Sequence, residues 1–378
     1  MLRKFTTLVL CLVATIVSAS AQTPPDNEIW YTTTDGKALK ISLDGLVSNS
    51  YHDGKGVLKF NDRVTEIGER AFFGCSSLTS VAIPNSMAYV PYCAFAECSS
   101  LKSVTIPDSV TVVGDYAFAG CGSLASVTIP EGATYVGDGA FEGCSSLASI
   151  TIPNSVTDIG RGAFSGCSNL KSIAIPNNVT YIGEELFFGC SKLSSITLPD
   201  SVADIELGAF TGCSSLKSFK GKFASSDGRC LIVDGELIAF ASAGLVQYTI
   251  PDGVTRIGRY VLAGCSGLKS VTIPDSVTWI GEHAFSGCTS LKSITIPDSV
   301  TWIGGGVFFG CDSLSSVPYR VYEIMEEARG EAEEYAEEAE IAAIAEAVEA
   351  AAEAYLKEIE AVAEEVEAAL EAAAVEAR

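Results

Sequence analysis

Cysteine is the residue in this chain best placed to do chemistry. Thirteen are present, and ten stand at Cys75, Cys98, Cys121, Cys144, Cys167, Cys190, Cys213, Cys265, Cys288 and Cys311. Thiols in this number could serve a nucleophile, a metal centre or disulfide bridges. A thiol nucleophile needs a base, and the only histidines, His52 and His283, sit in different regions and in no metal-ligand spacing. No G-x-S-x-G, H-E-x-x-H, phosphate-loop or EF-hand pattern occurs. The ten thiols instead share one recurring position behind a phenylalanine, where a small apolar group packs well. Core packing is therefore expected of them, although export permits disulfides. Bridges would have to join immediate neighbours in a stack. Cys93 and Cys230 lie off this ladder and are expected to be the more reactive thiols.

Carboxylates offer a second possibility. Asp108, Asp200, Asp252, Asp275 and Asp298 share one post-proline position with Asn85, Asn154 and Asn177. Stacked about 5 Å apart they would repel, and Ca²⁺ could relieve the repulsion. Turn formation explains the same residues, because Asx side chains accept from nearby backbone N–H groups. No catalytic residue, metal site or cofactor is expected from these patterns.

The elements that carry these residues follow from the spacing. Each ladder cysteine stands 23 residues after the last, apart from a gap of 52 between Cys213 and Cys265. Proline keeps the same step from Pro84 to Pro199 and again from Pro251 to Pro297. A fixed period over ten units means stacked coils. In the unit Leu101 to Ser123, Val104 and Ile106 alternate as a strand does, and Pro107 ends it. Val110 and Val113 point inward, Gly114 relieves a bend, and Ala117, Phe118 and Cys121 finish the coil as a short helical turn. Each coil supplies about eight inward side chains at roughly 1.5–3 kcal/mol per large one buried. That does not offset one coil's ordering entropy, so stability must come from stacking.

The unit L-x-S-[VI]-T-I-P-[DN]-S-V-T-x-I-G-x-x-A-F-x-G-C-S-S resembles the BspA-like class of bacterial leucine-rich repeats, over about residues 56 to 318. The stretch from Asn27-Glu28-Ile29-Trp30-Tyr31 to Phe60 resembles the cap that precedes such arrays. The resemblance implies a right-handed leucine-rich-repeat solenoid, β-rich with short helical turns, of about ten 23-residue repeats. It also implies export to the surface or surroundings of anaerobic gut or oral bacteria, and a role as an adhesin or host-protein binder.

The domain plan is a signal peptide over 1–21, a cap over 22–55, the array over 56–318, and an Ala/Glu-rich helical tail over 319–378. Arg3 and Lys4, the apolar run Phe5 to Val17 and the small residues Ala19-Ser20-Ala21 make the leader. Leu8 to Cys11 faintly resembles a lipidation box, but Leu10 stands where a small residue is needed. Two apolar runs joined by Asp234-Gly235 make a hairpin island at about 220–249. In the tail, Ile341, Val348, Tyr355, Val362 and Ala369 recur every seven residues, so it could cap the array, pair with another copy as a homo-oligomer, or stand alone. From Tyr322 to Arg378 there are 19 Glu and three basic residues, against a net charge of −23 for the chain. Acidity of this kind excludes nucleic-acid binding, which needs cations to displace counterions. No segment after the leader is long and apolar enough to span a membrane.

Function must then reside in the outward columns. An unbroken serine lane runs from Ser80 to Ser316, flanked by Lys102, Lys171, Lys217, Lys269 and Lys292. The column after each V-T varies: Glu66, Tyr89, Val112, Tyr135, Asp158, Tyr181, Asp204, Arg256, Trp279 and Trp302. Paired tryptophans could contact a partner or stack on sugars, or they could only cover each other. Trp279, Trp302, Lys269 and Lys292 are the candidate ligand-binding residues, for a protein or glycan ligand such as a host surface or matrix component. A passive structural spacer is the alternative.

Overall fold

The S-V-T-I-P segments extend because β-branched residues alternate and proline stops them. In the computed structural model, which describes residues 23–315, these segments form short parallel strands one period apart. Ser126–Thr128 pairs with Ser149–Thr151, Ser195–Thr197 with Ser218–Lys220, and Ser270–Thr272 with Ser293–Thr295, serine beside serine. The leader, the tail and Ser316 lie outside the described residues.

A second parallel sheet, which the alternation did not reveal, is built from the V-T-x-I segments. Tyr89–Val90, Val112–Val113, Tyr135–Val136 and Asp158–Ile159 form one four-stranded part of it. Each of these strands holds two residues, one outward and one buried, and Gly follows in most units. That glycine is needed for close approach more than for bending. A Cβ on Gly114 would meet the Val90 carbonyl oxygen of the preceding coil at 2.7 Å.

The expected helical turn at A-F-x-G-C does not form; the segment is a run of hydrogen-bonded turns, and no helix occurs among the described residues. Two left-handed residues per unit interrupt any helix, as at Tyr116 (φ 54°) and Gly120 (φ 70°). The amides between them point along the stack. Phe95 N–H donates to the Ala117 carbonyl and Phe118 N–H to the Ala140 carbonyl, both at 2.8 Å. A helix would have spent those donors within the coil.

Behind the three sides lies the core, with one buried cluster running from Ile29 to Ala241. The rings from Phe72 to Phe210 stack in sequence with centroids 5.0–5.9 Å apart. The thiols stack beside them, and most donate to a carbonyl 26 residues earlier, as Cys144 does to Phe118 at 3.2 Å and Cys288 to Leu262 at 3.2 Å. All twelve described cysteines are free. Burial pushes the Cys144 and Cys167 thiols well up, and Cys190 to about 12. Cys230, expected to be reactive, is also wholly buried, against the Tyr248 hydroxyl at 3.2 Å, and burial pushes it up to about 12. Cys93, expected to be reactive too, is buried at a left-handed turn position. Replacing Cys144 by Ala removes a packed sulfur and is expected to cost about 1–3 kcal/mol. Reducing agent should leave the melting of the wild type unchanged; calorimetry with and without dithiothreitol checks both statements.

At the N-terminal end, strands Glu28–Thr33, Leu46–His52 and Lys55–Phe60 form an antiparallel sheet. Its strand Glu28–Thr33 pairs with Leu78–Ala82, the first strand of the array, and so covers the first coil. Farther on, Asp234-Gly235, with φ of 48° and 80°, joins strands Cys230–Val233 and Glu236–Phe240. The second of these enters the second sheet beside Arg256–Ile257.

Candidate ligand-binding faces

The serine and lysine columns stand on the first sheet. Ser103, Ser126, Ser149, Ser172, Ser195 and Ser293 are exposed, as are the five lysines beside the lane. Lys292 N–H donates to the Lys269 carbonyl at 2.9 Å, which places the two on successive rungs.

The variable column stands on the second sheet, and its members touch along the stack. Tyr89 donates to Glu66 at 2.8 Å, and Tyr181 donates past its column neighbour Asp204 to Glu206 at 2.8 Å. Glu236, Arg256, Trp279 and Trp302 then follow in parallel register. Arg256 lies 3.4 Å from the Glu236 carboxylate, with its guanidinium 4.6 Å from the Trp279 ring centre. Trp279 and Trp302 stack at 4.7 Å and 4°. Trp279 is thus covered by Arg256 on one face and Trp302 on the other, and offers an edge to solvent. The structure brings the two tryptophans together and the two lysines together, but places the pairs on different sheets of the same coils.

The turn side carries aromatic residues that the column reading missed. Phe73, Tyr92, Tyr116, Phe188, Tyr260 and Phe309 are all exposed there. They sit at unrepeated positions inside G-x-x-A-F-x-G-C, where attention went to the repeated Ala-Phe. Tyr116 and Tyr260 occupy the left-handed position five residues before each ladder cysteine. Gly139, Gly162, Gly208 and Gly306 fill the same place in other coils. A left-handed non-glycine residue costs on the order of 1 kcal/mol. Tyr116→Gly is therefore expected to raise stability slightly, by about 0.5–1 kcal/mol, measured by denaturant unfolding.

Cavities open beside these side chains. One of about 440 Å³ is lined by Glu66, Tyr89, Tyr92, Asp115 and Tyr135 among others. A larger one of about 600 Å³ lies between Glu184, Glu185, Phe188 and Glu206 on one side and Arg259 and Tyr260 on the other. No group of three or more His, Cys, Asp or Glu side chains converges in metal-binding geometry among the described residues. Tyr260 stacks on His283 at 5.1 Å.

Stacked 23-residue coils with two parallel sheets, a phenylalanine ladder and outward columns of unlike residues define a leucine-rich-repeat β-solenoid. The BspA type leucine rich repeat region matches residues 56–170, 134–224 and 237–328 in six copies, and the chain belongs to that family. It is similar to a leucine rich cell surface protein from Faecalibacterium prausnitzii, 33% identical over 71% of this chain and 73% of that one, with a TM-score of 0.63. A leucine-rich repeat protein from Bacteroides ovatus is 25% identical over 78% of this chain and 93% of that one, with a TM-score of 0.43. No curated protein matches the chain.

Proposed function

We propose that the protein is an exported, surface-associated binding protein, adhesin-like, that recognises a protein or glycan ligand through its extended repeat surface. The observation that carries this reading is the in-register stack of Arg256, Trp279 and Trp302 on the second sheet. An acidic solenoid needs no such aromatic surface to fold, and half-exposed stacked indoles favour partner contact. Trp302 is the contact residue in this reading, and Trp279 is the backing that holds it flat. Lys269 and Lys292, on the first sheet, engage a ligand large enough to reach around the coil. Export rests on the leader at 1–21 and on the likeness to a cell surface protein. Among the described residues no helix is long and apolar enough to cross a membrane.

The test is to array the mature chain against host surface proteins, matrix proteins and glycans. One ligand class retained by the wild type and lost in a Trp302→Ala variant is the expected result. Retention of nothing by the wild type would favour the spacer. The tail is proposed to act in oligomerisation. Deleting residues 331–378 is expected to leave a folded array, and light scattering of both chains decides whether the tail pairs copies; the same mass state in both would remove the tail from that role.

A further inference from the structure

The break in the period hides two opposite changes. Leu216 to Leu237 spans 21 positions, where the corresponding step from Leu245 to Ile257 spans 12. Leu237 to Leu245 then spans 8, where Ile257 to Leu268 spans 11. The interrupted coil is longer by nine residues on its way to the second sheet and shorter by three on the turn side. Strand Glu236–Phe240 runs straight through the place where other coils bulge outward as A-F-x-G-C.

On the turn side one rung is therefore missing. Phe187 and Gly189 donate to the Ala209 and Thr211 carbonyls of the next coil, both at 2.8 Å. The equivalent amides of Phe210 and Gly212 have no backbone acceptor among the described residues. The carbonyls of Val261 and Ala263, which the repeat would align with them, have no backbone donor there either. The ladder resumes with Leu262 N–H on the Ala284 carbonyl at 2.9 Å. One absent rung sets the flanking turns about 9–10 Å apart, twice the strand spacing, and the Leu207 side chain reaches across this interval toward Gly258. The 600 Å³ cavity adjoins this interval, lined by Leu207, Gly208 and Thr211 on one side and by Arg259 and Tyr260 on the other.

Its walls select by charge and by apolar contact. Glu184 and Glu185 share Arg161, and Arg259 is paired with Glu282. Glu206 accepts from the Tyr181 hydroxyl and has no cationic partner among the described residues. The lining thus carries three carboxylates, Glu184, Glu185 and Glu206, against one guanidinium, Arg259. Phe188 and Tyr260 stand exposed at the rim, 43% and 44% accessible. Glu206 replaces the close-approach glycine of other coils, and Glu185 and Tyr260 occupy left-handed positions where glycine would be easier.

We propose that this recess binds an extended, basic segment of a partner polypeptide as the missing rung. Its carbonyls accept from the Phe210 and Gly212 amides, its amides donate to Val261 and Ala263, and its lysine or arginine side chains reach Glu185 and Glu206. This is strand addition within an array instead of at its end. The chain's own Glu-rich C-terminal segment has the wrong charge for the site.

The test uses the full mature chain and a fluorescein-labelled peptide of alternating lysine and valine, read by anisotropy. Binding is expected to weaken about tenfold or more in Glu185→Gly/Glu206→Gln and in Tyr260→Gly. Both Gly replacements fall where other coils already carry Gly, so folding is not at risk. The same loss is expected for a peptide N-methylated on alternate amides, and a glutamate-valine peptide should not bind. Trp279→Ala/Trp302→Ala should leave this binding unchanged, which separates it from the second-sheet reading. Hydrogen exchange should be fast at Phe210 and Gly212 without peptide and slow with it, whereas Phe187 and Gly189 stay slow throughout. Failure of the lysine-valine peptide to bind, equal binding by the variants or the N-methylated peptide, or slow exchange at Phe210 and Gly212 without peptide would each overturn the proposal.

Discussion

Raising the pH from about 9 to about 11 is expected to unfold the array steeply, in the presence of reducing agent. Seven thiols that burial pushes up, Cys98, Cys121, Cys144, Cys167, Cys190, Cys213 and Cys230, lie in the interior. In the unfolded chain each ionises near 8.5. The folded state therefore holds protons that the unfolded state releases. Their contribution is fully present below the unfolded pKa and is lost as pH rises toward the folded one. Between those two values each thiol withdraws about 1.4 kcal/mol per pH unit, or roughly 10 kcal/mol per unit for the seven. That equals the whole stability of a typical domain. Far-UV circular dichroism against pH measures it, and replacing Cys121, Cys144 and Cys167 by Ala should make the transition shallower. An array that keeps its signal through the whole range would mean the thiols are not buried as described.

Replacing Phe141 by Ala should cost about 3–5 kcal/mol, the range for a large aromatic removed from a close-packed core. Phe141 is fully buried and stacks between Phe118 at 5.5 Å and Phe164 at 5.9 Å. Coils couple mainly to their neighbours, so the loss should appear as faster hydrogen exchange centred on residues 118–164 while the N-terminal sheet stays protected. Phe141→Leu should cost about 1–1.5 kcal/mol, because Leu262 already fills the equivalent place in one coil. Equal destabilisation by Ala and Leu would show that stacking, not volume, dominates at this position.

The period, the inward residues and the thiol packing were legible because each repeats ten times and inward positions tolerate little variation. The second sheet was not, because two-residue strands give no alternation to count. Ala117 to Cys121 reads like a helical turn from composition, yet left-handed residues on either side send its amides to the next coil. Trp279 and Trp302 were legible as neighbours from their 23-residue separation. Their geometry was not, since Arg256 on the far face of Trp279 turns an apparent platform into an edge. The recess was hidden by arithmetic: a gain of nine residues and a loss of three appear in the sequence as one insertion of six.

The most direct test of the binding account is the affinity of the retained ligand for the Trp279→Ala/Trp302→Ala variant, beside Tyr89→Ala in the same column. The account predicts about tenfold or more loss in the tryptophan variant and none in Tyr89→Ala, with unchanged circular dichroism in both. Unchanged affinity in the folded tryptophan variant would contradict it.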